Sequence, residues 1–276
     1  MTRSVRRTRR MLQVAGAGAA ALMALSACSS SSTSSDSSAT KSDKSSSASP
    51  KLSGDVTVFA AASLKESFST LGKEFEKQHP GTHVNFNFGG SDSLAASITG
   101  GAPADVFAAA SPKTMKIVTD KKDATGTPAV FVRNQLEIAT VPGNPHKVAS
   151  LKDLTKPGLK IVLCDKTVPC GAAAQKALDA SHLKLTPASY EQDVKGALNK
   201  VELKEADAAV VYKTDVKSAG GKVEGVEFPE SAKAINDYPI VLLKNAPNAG
   251  TAKAFIALVQ SAEGQNVLSG AGFLKP

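Results

Sequence analysis

"VFAAASLKESF", residues 58–68, organises the reading of the whole chain. Val58 and Phe59 belong to a strand-like run, three alanines follow, and Ser63 heads a stretch in which Leu64, Phe68, Leu71 and Phe75 recur at helical spacing. A strand that ends in small residues leaves room beyond its carboxyl end. A helix that opens there on serine turns unpaired backbone N–H groups toward that room, and such an end stabilises negative charge.

Working outward, the same alternation repeats. "HVNFNF" reads as a strand, "SDSLAASITG" as a short helix opening on Ser91, and "ADVFAAA" as a buried strand. Further on, "QLEIATV", "KIVLC", "AAVVY" and "YPIVLL" predict strands, while "CGAAAQKALDA", "SYEQDVKGALNKV" and "TAKAFIALVQSAEGQNVL" predict helices. Strands alternating with helices indicate an α/β protein with mostly parallel sheets. The roughly 225 residues after the N-terminal region favour two domains over one. No internal repeat is evident.

The N-terminus carries a separate message. A cluster of arginines precedes the apolar run "VAGAGAAALMAL", which is short for a membrane span, and "LSAC" follows, ending in Cys28. Residues 1–27 read as an export signal. The "LSAC" site resembles a bacterial lipobox, in which the signal is cut before a cysteine that receives lipid. An ordinary signal peptide and an uncleaved anchor are the alternatives. Thr8-Arg9-Arg10 suggests twin-arginine export and Gln13 argues against it, so the export route stays open. Residues 28–50 then form a serine-rich tether, too poor in apolar side chains to offset the cost of ordering.

The formal charge of +8 invites a nucleic-acid reading, but five of those charges are arginines of residues 1–27, leaving +3 for the rest. With no basic run beyond the signal and no Trp, the stacking and phosphate contacts of nucleic-acid binders lack a basis. His79, His83, His146 and His182 are scattered, which argues against a metal centre.

Four segments join a strand end to a helix start with small or hydroxyl residues: "AAASL" with Ser63, "FGGSDSL" with Ser91, "TVPCGAAA" with Cys170, and "AVVYKTD" with Tyr212. Any one of them alone is a simple helix cap or a core tyrosine. Together they suggest an exported α/β protein that binds an anion through neutral donors.

"VFAAASL", "GAPADVFAAAS", "VPCG", "DVKGALNKVELKEADAAVVYKTD" and "YPIVLLK" resemble, in order and spacing, the molybdate-binding proteins of bacterial ABC importers, from about Gly54 to the C-terminus. The resemblance implies a two-lobe periplasmic-binding-protein fold of type II, each lobe a mixed, mostly parallel sheet flanked by helices, with the ligand cleft between them. It implies lobe I over 54–132 plus 237–276, lobe II over 133–236, and crossings near Val132 and Asn236. It also implies a binding set: hydroxyl and N–H of Ser63 and Ser91, backbone N–H of Cys170 and Val194, and the Tyr212 hydroxyl. The expected ligand is molybdate or tungstate, with another tetrahedral oxyanion such as sulfate as the alternative. No cofactor and no metal beyond the molybdenum of the oxyanion are expected. Expected partners are an ABC permease and its ATPase, with the membrane met only through lipid on Cys28 and the chain a monomer outside the cytoplasmic membrane.

Where relatives carry a serine-rich loop, this chain has Gly90-Ser91-Asp92-Ser93, and Asp92 is expected to point outward. Cys164 and Cys170 bracket "DKTVP" in a compartment where thiols pair, so a disulfide is expected, against two free thiols. Catalysis is not expected. Ser91 lacks nucleophile-elbow spacing, and Ser-x-x-Lys, H-E-x-x-H and P-loop signatures are missing.

Overall fold

The computed structural model describes residues 52–276. The export signal, Cys28 and the whole of the tether lie outside the described residues. Strand β1 (Gly54–Ala61) pairs in parallel with β2 (Thr82–Gly89) on one side and β3 (Val106–Ala108) on the other. Helix α1 (Lys65–Gln78) returns the chain between β1 and β2, burying Phe68, Leu71 and Phe75 at zero exposure. A single turn of 3-10 helix, Ala62–Leu64, precedes it, so Ser63 sits in the tight turn between strand and helix.

The first sheet has the order β2-β1-β3-β10-β4, in which β4 is Ala124–Asn134 and β10 is Asn236–Leu243. β10 runs antiparallel to both neighbours. The second sheet repeats the plan as β7-β6-β8-β5-β9, with β5 Leu136–Thr140, β6 Ile161–Cys164, β7 Ser189–Glu191, β8 Ala208–Tyr212 and β9 Glu224–Val226. Each sheet has its own apolar core. Phe68, Phe75, Phe131 and Phe255 fill one face of the first, Leu94, Ile98, Met115 and Val118 the other, and Leu136, Ile138, Val210 and Val211 centre the second. This is the two-lobe α/β architecture, with mixed sheets and helices on their faces.

The chain crosses between sheets twice, at Gln135 after β4 and at Ile235 before β10. Asn134 and Asn236 are register partners there. Val132 itself pairs with Tyr238 inside the first sheet, so the outgoing crossing falls slightly later than the position expected for it.

Several local expectations need correction. "SYEQDVKGALNKV" is not one helix: Ser189–Glu191 is β7, and α5 (Val194–Glu202) begins only after Asp193, whose carboxylate accepts from the Gly196 N–H at 2.9 Å. The β6 edge claims the first three residues, a tertiary demand that periodicity does not register. "TAKAFIALVQSAEGQNVL" divides into α7 (Ala249–Gln260) and α8 (Ala262–Gly270). Ser261 breaks it by accepting the Gly264 N–H at 3.1 Å as the cap of α8. The remaining helices are α2 (Ser91–Thr99), α3 (Pro112–Asp120), α4 (Pro169–Ala180) and α6 (Lys213–Ala219). Among these, α3 and α6 were not expected, nor were strands β4 and β9.

Candidate functional site

The carboxyl ends of β1, β2, β6, β7 and β8 converge where the two lobes face each other, and a helical segment starts just beyond each. A cavity lies at that convergence, lined by Ser63, Ser91, Cys170, Val194 and Tyr212 together with Ala61, Ala62, Gly89, Gly90, Ala110, Val168, Pro169 and Asp193. All five residues singled out from sequence are buried at its wall. They come from both lobes, two from the first and three from the second.

Local sequence explains why the wall is donor-rich. Ala61, Gly90, Val168 and Asp193 precede the helical segments, and the following N–H groups have no intrahelical acceptor. Their positive helix ends point into one space. Lys, Arg and His are absent from the lining, and the one carboxylate there, Asp193, uses its Oδ1 to cap Gly196. About 20 Å³ is open to the centre of a water-sized sphere, above the ~10–15 Å³ needed for one enclosed water. The space is on the scale of one compact ion.

The hydroxyls are held from behind. Ser91 Oγ accepts from the Ala110 N–H at 3.0 Å, Ser63 Oγ lies 2.8 Å from the Tyr238 hydroxyl, and Asn236 Nδ2 donates to Tyr212 Oη at 2.7 Å. Burial, with Tyr238 and Asp215 nearby, pushes the Tyr212 phenol well above its ordinary value, and Tyr238 is also raised by burial. Both phenols keep their protons at neutral pH and remain able to donate.

Cys164 and Cys170 are disulfide-bonded, with Cα atoms 5.8 Å apart. The bridge ties the end of β6 to the first turn of α4, the turn that presents the Cys170 N–H. Gly171 is obligatory there, since a Cβ would overlap the Asp165 carbonyl. Asp92 departs from its expected outward pose. It is half-buried, and its Oδ1 is enclosed without a hydrogen-bond partner. A short helix-start loop packed against the opposite lobe leaves that oxygen little route to solvent, although Asp92 does not line the cavity.

Sequence reasoning missed the supporting layer: Asn134, Asn236 and Tyr238 are buried among the site residues. Tyr238 lay inside a run read only as a strand, and a polar residue at the start of an apolar strand was the available signal. Among the described residues, no cluster of three or more His, Cys, Asp and Glu could hold a metal ion, and no helix is long and apolar enough to cross a membrane.

Comparison with known proteins fits this geometry. A family model described as bacterial extracellular solute-binding protein matches residues 56–274. The molybdate-binding protein ModA of Mycobacterium tuberculosis is 43% identical over 221 residues, covering 80% of this chain and 85% of the relative. ModA of Escherichia coli is 32% identical over 233 residues, covering 80% and 89%. The periplasmic molybdate-binding protein of Azotobacter vinelandii shares the fold, with a TM-score of 0.71 at 22% identity over 80% of this chain and 99% of that one. With its two lobes and its cavity of helix starts between them, the chain belongs to the bacterial extracellular solute-binding protein family and, within it, to the ModA type.

Proposed function

We propose that the protein captures molybdate, and with it tungstate, outside the cytoplasmic membrane and delivers it to an ABC importer. One observation carries the reading: Ser63, Ser91, Cys170, Val194 and Tyr212, from both lobes, line one small cavity without a cationic side chain. Neutral dipoles backed by helix N-termini stabilise a dianion without a counter-charge that would itself need desolvation. The 43% identity to a protein named for molybdate binding supports the choice of ion. The roles are those of a receptor. Ser63, Ser91 and Tyr212 donate hydroxyls, Cys170 and Val194 donate backbone N–H groups, and closing the lobes completes the cage. No reaction is assigned to the site.

Delivery requires a permease and an ATPase in the same membrane. Lipid on Cys28, followed by the serine-rich stretch to residue 50, would hold a monomeric domain within reach of them. Replacing Cys28 with alanine should release the protein from the membrane fraction. Isothermal titration of the mature domain with molybdate, tungstate, sulfate and phosphate tests the ligand. Heat from molybdate and tungstate at one site per chain is expected, and heat from sulfate without any from molybdate would sink the assignment.

A further inference from the structure

Asn236 opens β10 at the returning crossing and is buried. Its side-chain nitrogen faces three oxygens: the Ala110 carbonyl at 3.0 Å, the Pro169 carbonyl at 3.4 Å and Tyr212 Oη at 2.7 Å. All three residues line the cavity, Ala110 from the first lobe and the other two from the second. Carbonyl oxygens only accept, so the atom facing them is the amide nitrogen, and an amide nitrogen only donates. Tyr212 Oη is therefore an acceptor in this bond.

A phenol has one hydrogen. With Asn236 donating to its oxygen, Tyr212 must direct that hydrogen elsewhere. The Tyr238 hydroxyl, which meets Ser63 Oγ at 2.8 Å and Asn134 Nδ2 at 3.4 Å, is one acceptor beside it. An oxyanion in the cavity is the stronger acceptor of the two and draws the hydrogen inward. The same polarity holds at Ser91, whose Oγ accepts from the Ala110 N–H while the Ala110 carbonyl accepts from Asn236. A series of hydrogen bonds thus links Ser91, the Ala110 backbone, Asn236 and Tyr212. It passes from one lobe to the other behind the cavity.

We propose that Asn236 is a positioning residue that sets the hydrogen-bond polarity of the site, forcing Tyr212 to offer the ion a donor. The inference rests on the oxyanion reading above. Its consequence is selectivity: with Tyr212 held as a donor, the site favours a fully deprotonated tetrahedral anion and offers the O–H of hydrogen phosphate one acceptor fewer. Without Asn236, the lone pair of Tyr212 becomes available and that discrimination narrows.

The test is a double-mutant cycle by titration calorimetry with molybdate and with phosphate at pH 7.5. It uses wild type, Asn236→Ala, Tyr212→Phe and the double variant. Asn236→Ala should weaken molybdate about ten- to hundredfold, and the same change in the Tyr212→Phe background should cost only a few-fold. The preference for molybdate over phosphate should shrink in Asn236→Ala and not in Tyr212→Phe. Losses that add, with discrimination unchanged, would mean that Asn236 merely braces the wall, and the proposal falls. If circular dichroism shows Asn236→Ala unfolded, Asn236→Ser is read in its place against the same outcomes. A wild type that binds no molybdate overturns the oxyanion reading itself. A binding wild type with an additive cycle overturns only the role of Asn236.

Discussion

Lys195 of α5 reaches across the cleft to Glu66 of α1, with Nζ 2.9 Å from Oε2. The same ammonium lies 3.1 Å from Asp215 Oδ1 and 2.9 Å from Ser218 Oγ, both on α6. Burial alone would push Lys195 toward neutrality, but Asp215 and Glu66 outweigh it and hold its pKa above the ordinary lysine value. Glu66 lies three residues after Ser63, and Lys195 directly follows Val194. The pair therefore joins the two helix starts that line the cavity from opposite lobes.

Glu66→Gln removes the interlobe arm and leaves Lys195 with Asp215. Glu66 is half-exposed, so the loss should be small, about 0.5–1 kcal/mol in molybdate affinity. Titration at low and high salt checks it. Wild type and variant should differ at low salt and converge near 1 M, because screening removes the bond in both.

Asp215 predicts a pH effect on stability. Burial pushes its carboxyl up from an ordinary 3.8 to about 6, against the pull of Lys195 and the Tyr212 N–H. The folded chain therefore holds a proton that the unfolded chain releases between about pH 4 and 6. This group's contribution to stability falls as pH rises through that window, by about 3 kcal/mol, and is flat above it. Urea denaturation from pH 4 to 8 should show wild type losing stability relative to Asp215→Asn across the window.

Ser63→Ala and Ser91→Ala should each weaken molybdate by about 1–3 kcal/mol, the cost of a lost hydrogen bond to a charged group. Ser63→Ala also strips Tyr238 of its 2.8 Å partner, so its melting temperature should fall further than a surface change would cause. Calorimetry and thermal melts together separate the two effects. Wild-type affinity in both variants would misplace the site.

Gly90→Ala addresses closure. A Cβ there would stand 2.6 Å from the Gln192 carbonyl of the opposite lobe and 2.8 Å from Asp92 Oδ1. The methyl group should wedge the lobes apart while leaving each core intact. Molybdate binding should drop at least tenfold with little change in circular dichroism, and small-angle scattering should report a more open form.

Reducing the Cys164–Cys170 bridge frees the loop that carries the Cys170 N–H. Closing a loop this short contributes about 2 kcal/mol by chain entropy. Dithiothreitol should lower the melting temperature and weaken molybdate together. Cys164→Ala with Cys170→Ala should reproduce both effects, because the donor at 170 is backbone.

Much of this was legible in the chain because it is local. Small residues after a strand, a hydroxyl at a helix start and glycines permitting close approach are set by neighbours in sequence, and they located Ser63, Ser91 and the loop at Cys170. The short strands β7 and β9 were not legible. Unlike the buried β3, they carry little apolar pattern, and only pairing with β6 and β5 makes them strands. α7 and α8 read as one helix because their apolar faces share a period, while the break comes from Ser261 capping the start of α8.

By itself, then, the sequence determined the α/β alternation, the strand ends and the helix starts, since these follow from propensity and capping within a few residues. Only the tertiary structure decided which donors face one another and which groups stand behind them. Ser63 meets Tyr238 across 175 positions, Asn236 meets Ala110 across 126, and Lys195 finds Glu66 from another lobe. The physical reason is that these partners are far apart in the chain and meet only when the crossing strands bring distant segments together.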